Sequence, residues 1–264
     1  MNMYWVYNLP NWLFEVLTIF LFMAFSLVGL LVSRRWTHRL HVQHSYNDIV
    51  GFYLAGITVL YGVTLGLLAI GAWTTFTEAQ AKVAREAAAL SSLYRSVGNL
   101  QEPVRSVLQD DLRDYARRVI EIGWPDQQRG IVPVENGVAL DKFQKDLQSF
   151  QPATQAQMVL DEDISRGFDT LEESRSIRVD SVTEELPTPL WALIVMGALI
   201  CIVVTWFFDM ESRKMHIWMT LLFSGLLALM VFMVAALDNP YRGKISVSAE
   251  PLQRVYIQMT HPSE

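Results

Sequence analysis

The residues with the clearest potential for ion chemistry are carboxylates near the ends of long apolar segments. They are Glu15, Asp48, Glu78, Asp209 and Asp238, and none lies in the middle of such a segment. A proton-coupled transporter with a carboxylate at the membrane midplane is therefore disfavoured. Because rings of acidic side chains select cations, Glu78 and Asp238 are candidates for an outer ion mouth and Asp48 for an inner one. The competing and favoured interpretation of each is a helix cap or ion-pair partner at the membrane surface.

Enzyme chemistry finds little support in the chain. It has no phosphate loop, no HExxH, no Gly-x-Ser-x-Gly and no pair of cysteines. His38, His41 and His44 recur every three residues among arginines, which favours contact with lipid headgroups over metal binding. Asp161–Asp163 is predicted to be helix surface, and Cys201 a buried structural thiol. We expect no catalysis, no cofactor, no metal and no nucleic-acid partner.

Small residues share one face of the second apolar segment. Steps of four and three residues connect Gly51, Ala55, Thr58, Gly62, Gly66 and Ala69. In lipid, such a face allows close approach of helix backbones. We call these six positions the small-residue ridge. Either it packs within one subunit, against the small surfaces of Gly197, Ala198, Gly225 and Ala228, or it faces a symmetry-related copy or a central pathway. The sequence leaves both open.

Four apolar segments must position these groups. The 264-residue chain is 52% hydrophobic and only 18% charged, against roughly 25% charged in soluble proteins. Segments long enough to cross a bilayer, which takes about 20 helical residues, are Val16–Ser33, Ile49–Thr77, Leu186–Phe208 and Ile217–Leu237. The uncharged N-terminus and the following Arg34-Arg35 indicate a retained first helix rather than a cleaved signal.

Orientation follows from the basic residues of the short connections. Arg34, Arg35 and Arg39 follow the first segment, and Arg213 and Lys214 precede the fourth. The positive-inside rule therefore predicts that both connections are cytoplasmic and that the termini and the large polar region are outside. The predicted domains are residues 1–77 and 188–237 in the membrane, 78–187 as an inserted outer domain, and 238–264 as an outer tail.

The polar region is predicted to be a helical bundle, which makes the protein all-α. No breaker separates the second apolar segment from the periodic stretch ending near Leu100, so one helix is expected to run through both. A second helix opens at Pro103 and stops at Trp124-Pro125, a short third covers 140–150, and a long fourth runs from Pro152 to Pro187. Between Glu78 and Glu185 lie 13 basic and 20 acidic side chains, a net charge of −7. This indicates a solvated bundle surface or, alternatively, an acidic vestibule that concentrates cations.

Several short motifs occur in a recognisable order. They are Asn47 and Gly51, Tyr61, Trp73, the run Glu86–Arg95, Tyr115, Trp124-Pro125 and the stretch Asp238–Gly243. This order resembles the bestrophin-like domain family of bacterial and plant membrane proteins. Gly123 departs from it, because the family commonly has glutamate before Trp-Pro. The resemblance implies a shared fold, a bacterial inner (plasma) membrane location and an ion-channel-like role, with Glu86, Trp124, Pro125, Asp238, Pro240 and Gly243 as motif residues.

Together these patterns favour a homo-oligomeric ion channel or channel-like permease. Its pathway is expected to be lined by the second membrane helix, with cations slightly favoured, and its partners to be membrane lipid, inorganic ions and copies of itself. The alternative is a non-transporting scaffold or sensor whose outer bundle binds a partner. In either case, Pro240 and Gly243 are suited to stop a helix and turn the chain after Asp238.

Overall fold

The computed structural model describes residues 11–37, 45–132, 136–243 and 245–261. All regular elements within these ranges are helices. They are α1 (Asn11–Thr37), α2 (Ser45–Val97), α3 (Val104–Arg118), α4 (Trp124–Gln128), α5 (Asn136–Ser149), α6 (Gln155–Asp180), α7 (Thr188–Thr205), α8 (Arg213–Asp238) and α9 (Glu250–Thr260). The predicted headgroup contacts of His38, Arg39, His41 and His44 lie outside the described residues.

The chain divides into two compact units. The first, which we call the apolar unit, comprises residues 1–74, 185–238 and 243–245. It contains α1, the first half of α2, α7 and α8. By length and composition, four helices of the described chain can cross a membrane, namely Trp12–Arg34, Asn47–Val97, Thr188–Thr205 and Arg213–Asp238. These match the four apolar segments, while their orientation stays a prediction.

Aromatic rings packed on glycines hold the apolar unit together. The ring of Tyr61 on α2 lies where a side chain on Gly197 of α7 would be, 2.4 Å from its ideal Cβ position. The Tyr61 hydroxyl donates to the carbonyl of Ile194 at 2.9 Å. On α1, Gly29 accommodates the indole of Trp206 in the same way. Each glycine allows a close helix contact that a larger residue would block.

The second unit, the helical domain, comprises residues 75–184, 239–242 and 246–264. Within it α2 and α6 are antiparallel, because the contacts Glu86–Arg178 and Ser96–Asp163 advance along α2 and retreat along α6. The ion pair of Lys82 with Glu184, just after α6, continues this order. The core is apolar and includes Leu90, Leu112, Phe143, Phe168 and Leu171, all buried. Thr154 begins α6 with a reciprocal capping box to Gln157.

Two predicted features of the helical domain differ from the structure, and one helix was not predicted. The second helix does not stop at Trp124-Pro125, since a π-helical turn, Val119–Gly123, leads directly into α4 with Pro125 in its first turn. Proline is tolerated there because a first-turn N–H needs no helical acceptor. The long fourth helix ends at Asp180 rather than at Pro187, followed by a 3₁₀ turn and extended backbone at Glu184. Helix α9 has no counterpart among the sequence predictions.

Candidate functional site

A buried ion pair joins α2 to α6 in the helical domain. Glu86 lies on the face of α2 that also buries Val83 and Leu90, and Arg178 lies seven residues after the buried Leu171 of α6. The guanidinium donates through Nε to Glu86 Oε2 and through Nη2 to Oε1, the second bond being 3.1 Å long. Both side chains are 0% exposed. Such a bidentate interaction fixes the position of the guanidinium relative to the carboxylate.

Tyr115 on α3 completes the hydrogen bonding of the carboxylate. Its hydroxyl donates to Glu86 Oε1 at 2.6 Å. Burial and the negative charge of Glu86 raise the pKa of Tyr115 well above its ordinary value, so the hydroxyl stays a donor. Burial opposes the charge of Arg178, but Glu86 outweighs it and raises the guanidinium pKa. We call Glu86, Tyr115 and Arg178 the buried triad.

Two aromatic residues border the triad. The Trp124 ring lies under the guanidinium of Arg178, with 5.9 Å between Cζ and the ring centroid. The Trp124 ring also packs edge-on against the ring of Tyr241, with 6.0 Å between the two ring centroids. The Tyr241 and Ser181 hydroxyls are hydrogen-bonded at 3.0 Å. The triad thus links α2, α3 and α6 to the segment that contains Tyr241.

Asp238 ties the end of α8 to the beginning of α7. Its Oδ1 accepts from the backbone N–H of Leu186 at 2.6 Å, and its Oδ2 accepts from the indole of Trp191 at 3.0 Å. Beyond it, the carbonyl of Pro240 accepts from Val247 N–H at 2.7 Å. Gly243 has φ +76°, a conformation that favours glycine. The stretch therefore makes the contacts that a helix-terminating role requires.

The small-residue ridge is open at its centre. A Cβ built on Gly62 or Gly66 meets nothing within 4 Å, whereas one on Gly51 comes within 3.9 Å of Phe208. Ala55 is exposed, Ala69 is half-buried, and the Thr58 hydroxyl donates back to Leu54 O at 2.7 Å. The side of α2 that is buried within the apolar unit instead carries Val50, Tyr61, Leu65 and Ala72.

The remaining mouth candidates are solvent-accessible in the described protomer. Asp48 and Glu78 are both exposed. In the described part of the chain, no group of three or more histidine, cysteine, aspartate or glutamate side chains is placed to hold a metal ion.

Comparison with known proteins identifies the family. A family model described as bestrophin-like domain matches residues 20–252. The chain belongs to the bestrophin-like family. Its fold is similar to a bacterial bestrophin homologue from Klebsiella pneumoniae, with a TM-score of 0.66 at 12% identity over 93% of this chain and 98% of that one. A second variant of that homologue has a TM-score of 0.67 at 11% identity over 94% and 99%. A structure described as a membrane protein gives 0.67 at 11% over 93% and 98%. No curated protein matches.

In this bestrophin-like protein, motif residues that are far apart in sequence converge. Glu86 and Tyr115 belong to the buried triad, and Trp124 and Tyr241 border it. Pro125 lies in the first turn of α4, whereas Asp238 and Gly243 belong to the apolar unit. Arg178 was missed by the sequence reasoning. The sequence does contain a signal for it, because Arg178 follows Leu171 by seven residues and so lies on the apolar stripe of the helix. An unpaired arginine at such a position is costly.

Proposed function

We propose that this protein is a subunit of a homo-oligomeric ion channel or channel-like permease whose pathway is lined by α2. The observation that carries the proposal is the open small-residue ridge at Gly62 and Gly66. A glycine with empty space at its Cβ position leaves helix backbone accessible to a neighbouring molecule. Close contact with the backbone or side chains of another copy would use that surface.

The side chains flanking the ridge support the same arrangement. Val59, Val63 and Ile70 are 67%, 59% and 64% exposed, respectively. Together with the ridge, they leave much of α2 uncovered by the rest of the protomer. A closed ring of copies would cover this surface and place the helices around a common axis. The bestrophin-like family membership is compatible with such a channel.

Charge supports a slight preference for cations. The helical domain carries the acidic excess of the chain, and Asp48 and Glu78 are exposed near the two ends of the apolar part of α2. Asp238 is less suited to this role because two N–H donors already occupy its oxygens. We therefore assign the ion mouths to Asp48 and Glu78. We place the protein in the bacterial inner membrane with the helical domain outside, on the basis of the basic connections.

Ion flux through liposomes containing the purified protein tests the proposal. We expect flux that is lost, together with the oligomer, in Gly62→Leu and Gly66→Leu, because leucine separates the helices. Gly71→Leu is the matched control, since nine residues place it about two and a half turns from Gly62, on the opposite side of α2. A Cβ there also meets nothing within 4 Å.

Each outcome separates the candidate functions. Absence of flux for either ion sign from an intact oligomer would refute conduction and favour the scaffold or sensor. A monomer in native mass spectrometry would refute the assembly itself. If Gly71→Leu abolished assembly as fully as Gly62→Leu, the ridge would have no special role.

A further inference from the structure

The buried triad leaves one end of its guanidinium unused. Arg178 donates to Glu86 through Nε and Nη2, while Nη1 is buried and has no hydrogen-bond partner among the described residues. Leaving a buried N–H of a charged group unsatisfied is costly. The position therefore calls for an acceptor that the chain itself does not supply there.

Gln127 presents a second unsatisfied buried group in the helical domain. It is 0% exposed, and neither Oε1 nor Nε2 has a hydrogen-bond partner within the described ranges. Gln127 follows Trp124 by three residues in α4, so the two side chains lie on the same side of that helix. The Trp124 ring is also the one that lies under Arg178. The guanidinium of Arg178 thus lies over the indole of Trp124, and helix geometry places Gln127 on the same side of α4 as that indole.

The charge around this position is positive. Arg175 precedes Arg178 by one turn of α6, and its Nε atom is also buried without a hydrogen-bond partner. Both arginines influence Tyr115 electrostatically. The carboxylate facing them is Glu86, and the nearby Glu184 is already paired with Lys82. Because Glu86 neutralises only one of these two guanidinium charges, the surroundings favour an anion over a neutral molecule.

We propose that the helical domain holds a small inorganic monoanion, such as chloride, between Arg178 Nη1 and Gln127 Nε2. The carboxamide orientation that presents Nε2 is available by rotation of the side chain. Because both residues are wholly buried, a small ion is a better match to the position than a large organic anion. The anion site does not depend on the proposed function.

Anion-dependent stability of the full-length protein in detergent tests the site. Chloride is compared with gluconate, an anion too large for the interior, at equal ionic strength. A ligand that binds only the folded state at about ten times its Kd shifts the folding equilibrium about elevenfold. We expect the unfolding temperature, followed by tryptophan fluorescence, to rise with chloride and to stay constant in gluconate.

Two variants on adjacent positions localise the effect. Gln127→Glu places a carboxylate beside Arg178 in nearly the same volume, so it should remove the response to chloride. Gln128→Glu makes the same chemical change at an exposed neighbour in α4 and should keep it. Anomalous scattering from bromide in crystals of the unmodified protein should give a peak in contact with Arg178 Nη1.

Three results would overturn the proposal. Equal unfolding temperatures in chloride and gluconate would show that water alone satisfies these groups. An unchanged chloride response in Gln127→Glu would place the bound ion elsewhere. Absence of a bromide peak at Arg178 would also show that no ion binds at this position. This measurement uses the unmodified protein, so it tests the proposal even if Gln127→Glu does not fold.

Discussion

Replacing Glu86 by glutamine should strongly destabilise the helical domain. The Glu86 carboxylate accepts two N–H bonds from Arg178 and one O–H bond from Tyr115, at 2.6 Å for the last. None of the three side chains is exposed. Glutamine has nearly the same shape but no charge, so the change leaves a buried guanidinium without its counter-ion.

The expected magnitude follows from that burial. Removing one partner of a buried ion pair costs about 3–5 kcal/mol, because the remaining charge is uncompensated. In a protein of this size, 1 kcal/mol corresponds to about 2–4 °C in the unfolding temperature. Glu86→Gln should therefore lower that temperature by roughly 6–20 °C. The double variant Glu86→Gln with Arg178→Met should lose much less than either single change predicts.

The matched control is Glu184→Gln, which alters an ion pair between α2 and the segment after α6. Glu184 is 46% exposed and pairs with Lys82 at 2.9 Å. An exposed pair contributes about 0–1 kcal/mol, so the control should shift the unfolding temperature by at most about 4 °C. Thermal unfolding of each full-length variant in detergent, followed by near-ultraviolet circular dichroism, measures both shifts.

Two results would refute this reasoning. Equal shifts for Glu86→Gln and Glu184→Gln would mean that burial does not set the cost. A double variant as unstable as the sum of both single variants would mean that Glu86 and Arg178 stabilise the domain independently, rather than as a pair.

Three further predictions concern other positions. Gly197→Ala should lower the stability by about 1–3 kcal/mol, because its Cβ would lie 2.4 Å from the Tyr61 ring. Gly56→Ala is the control, because a Cβ there meets nothing within 4 Å and Gly56 is not part of the small-residue ridge. Equal shifts in the unfolding temperature of the two variants would contradict this packing. Asp238→Ala should cost about 2–4 kcal/mol in thermal unfolding by leaving two N–H donors unpaired; altered ion selectivity without loss of stability would instead indicate an ion mouth. Burial raises the pKa of Asp111 above its ordinary 3.8, so the folded protein holds this proton more tightly than the unfolded chain does. The resulting stabilisation is complete below pH 3.8 and is lost as the pH rises through the folded-state pKa. Asp111→Asn should flatten that decline in unfolding temperature, and an unchanged pH profile would exclude Asp111 as its source.

Features encoded by local pattern were predictable from the sequence. The apolar lengths correspond to α1, α2, α7 and α8, and the absence of a breaker after Thr77 predicted the continuous α2. Each depends on neighbouring residues only, through composition and helical period. Pro103 likewise stands at the beginning of α3 as its position suggested. Local rules suffice where local interactions decide.

Features decided by tertiary contacts were not predictable in the same way. The partner of Glu86 is 92 residues away in the chain, and no spacing rule connects Glu86 to Arg178. Pro125 was expected to stop a helix, but a π-helical turn before it places the proline where no N–H acceptor is needed. The family motif includes Glu86, Tyr115 and Trp124, but it does not indicate that these residues lie together in the fold.

The glycines of the apolar unit show why the ridge required coordinates. Gly29 and Gly197 have aromatic rings in the space that a side chain would take, while Gly62 and Gly66 have nothing there. In sequence the two kinds of glycine look alike, and both cost about 1 kcal/mol relative to alanine in a helix interior. For Gly29 and Gly197, ring packing inside the protomer offsets that cost. For Gly62 and Gly66 no contact inside the protomer does so, and the missing compensation is what a neighbouring copy of α2 would supply.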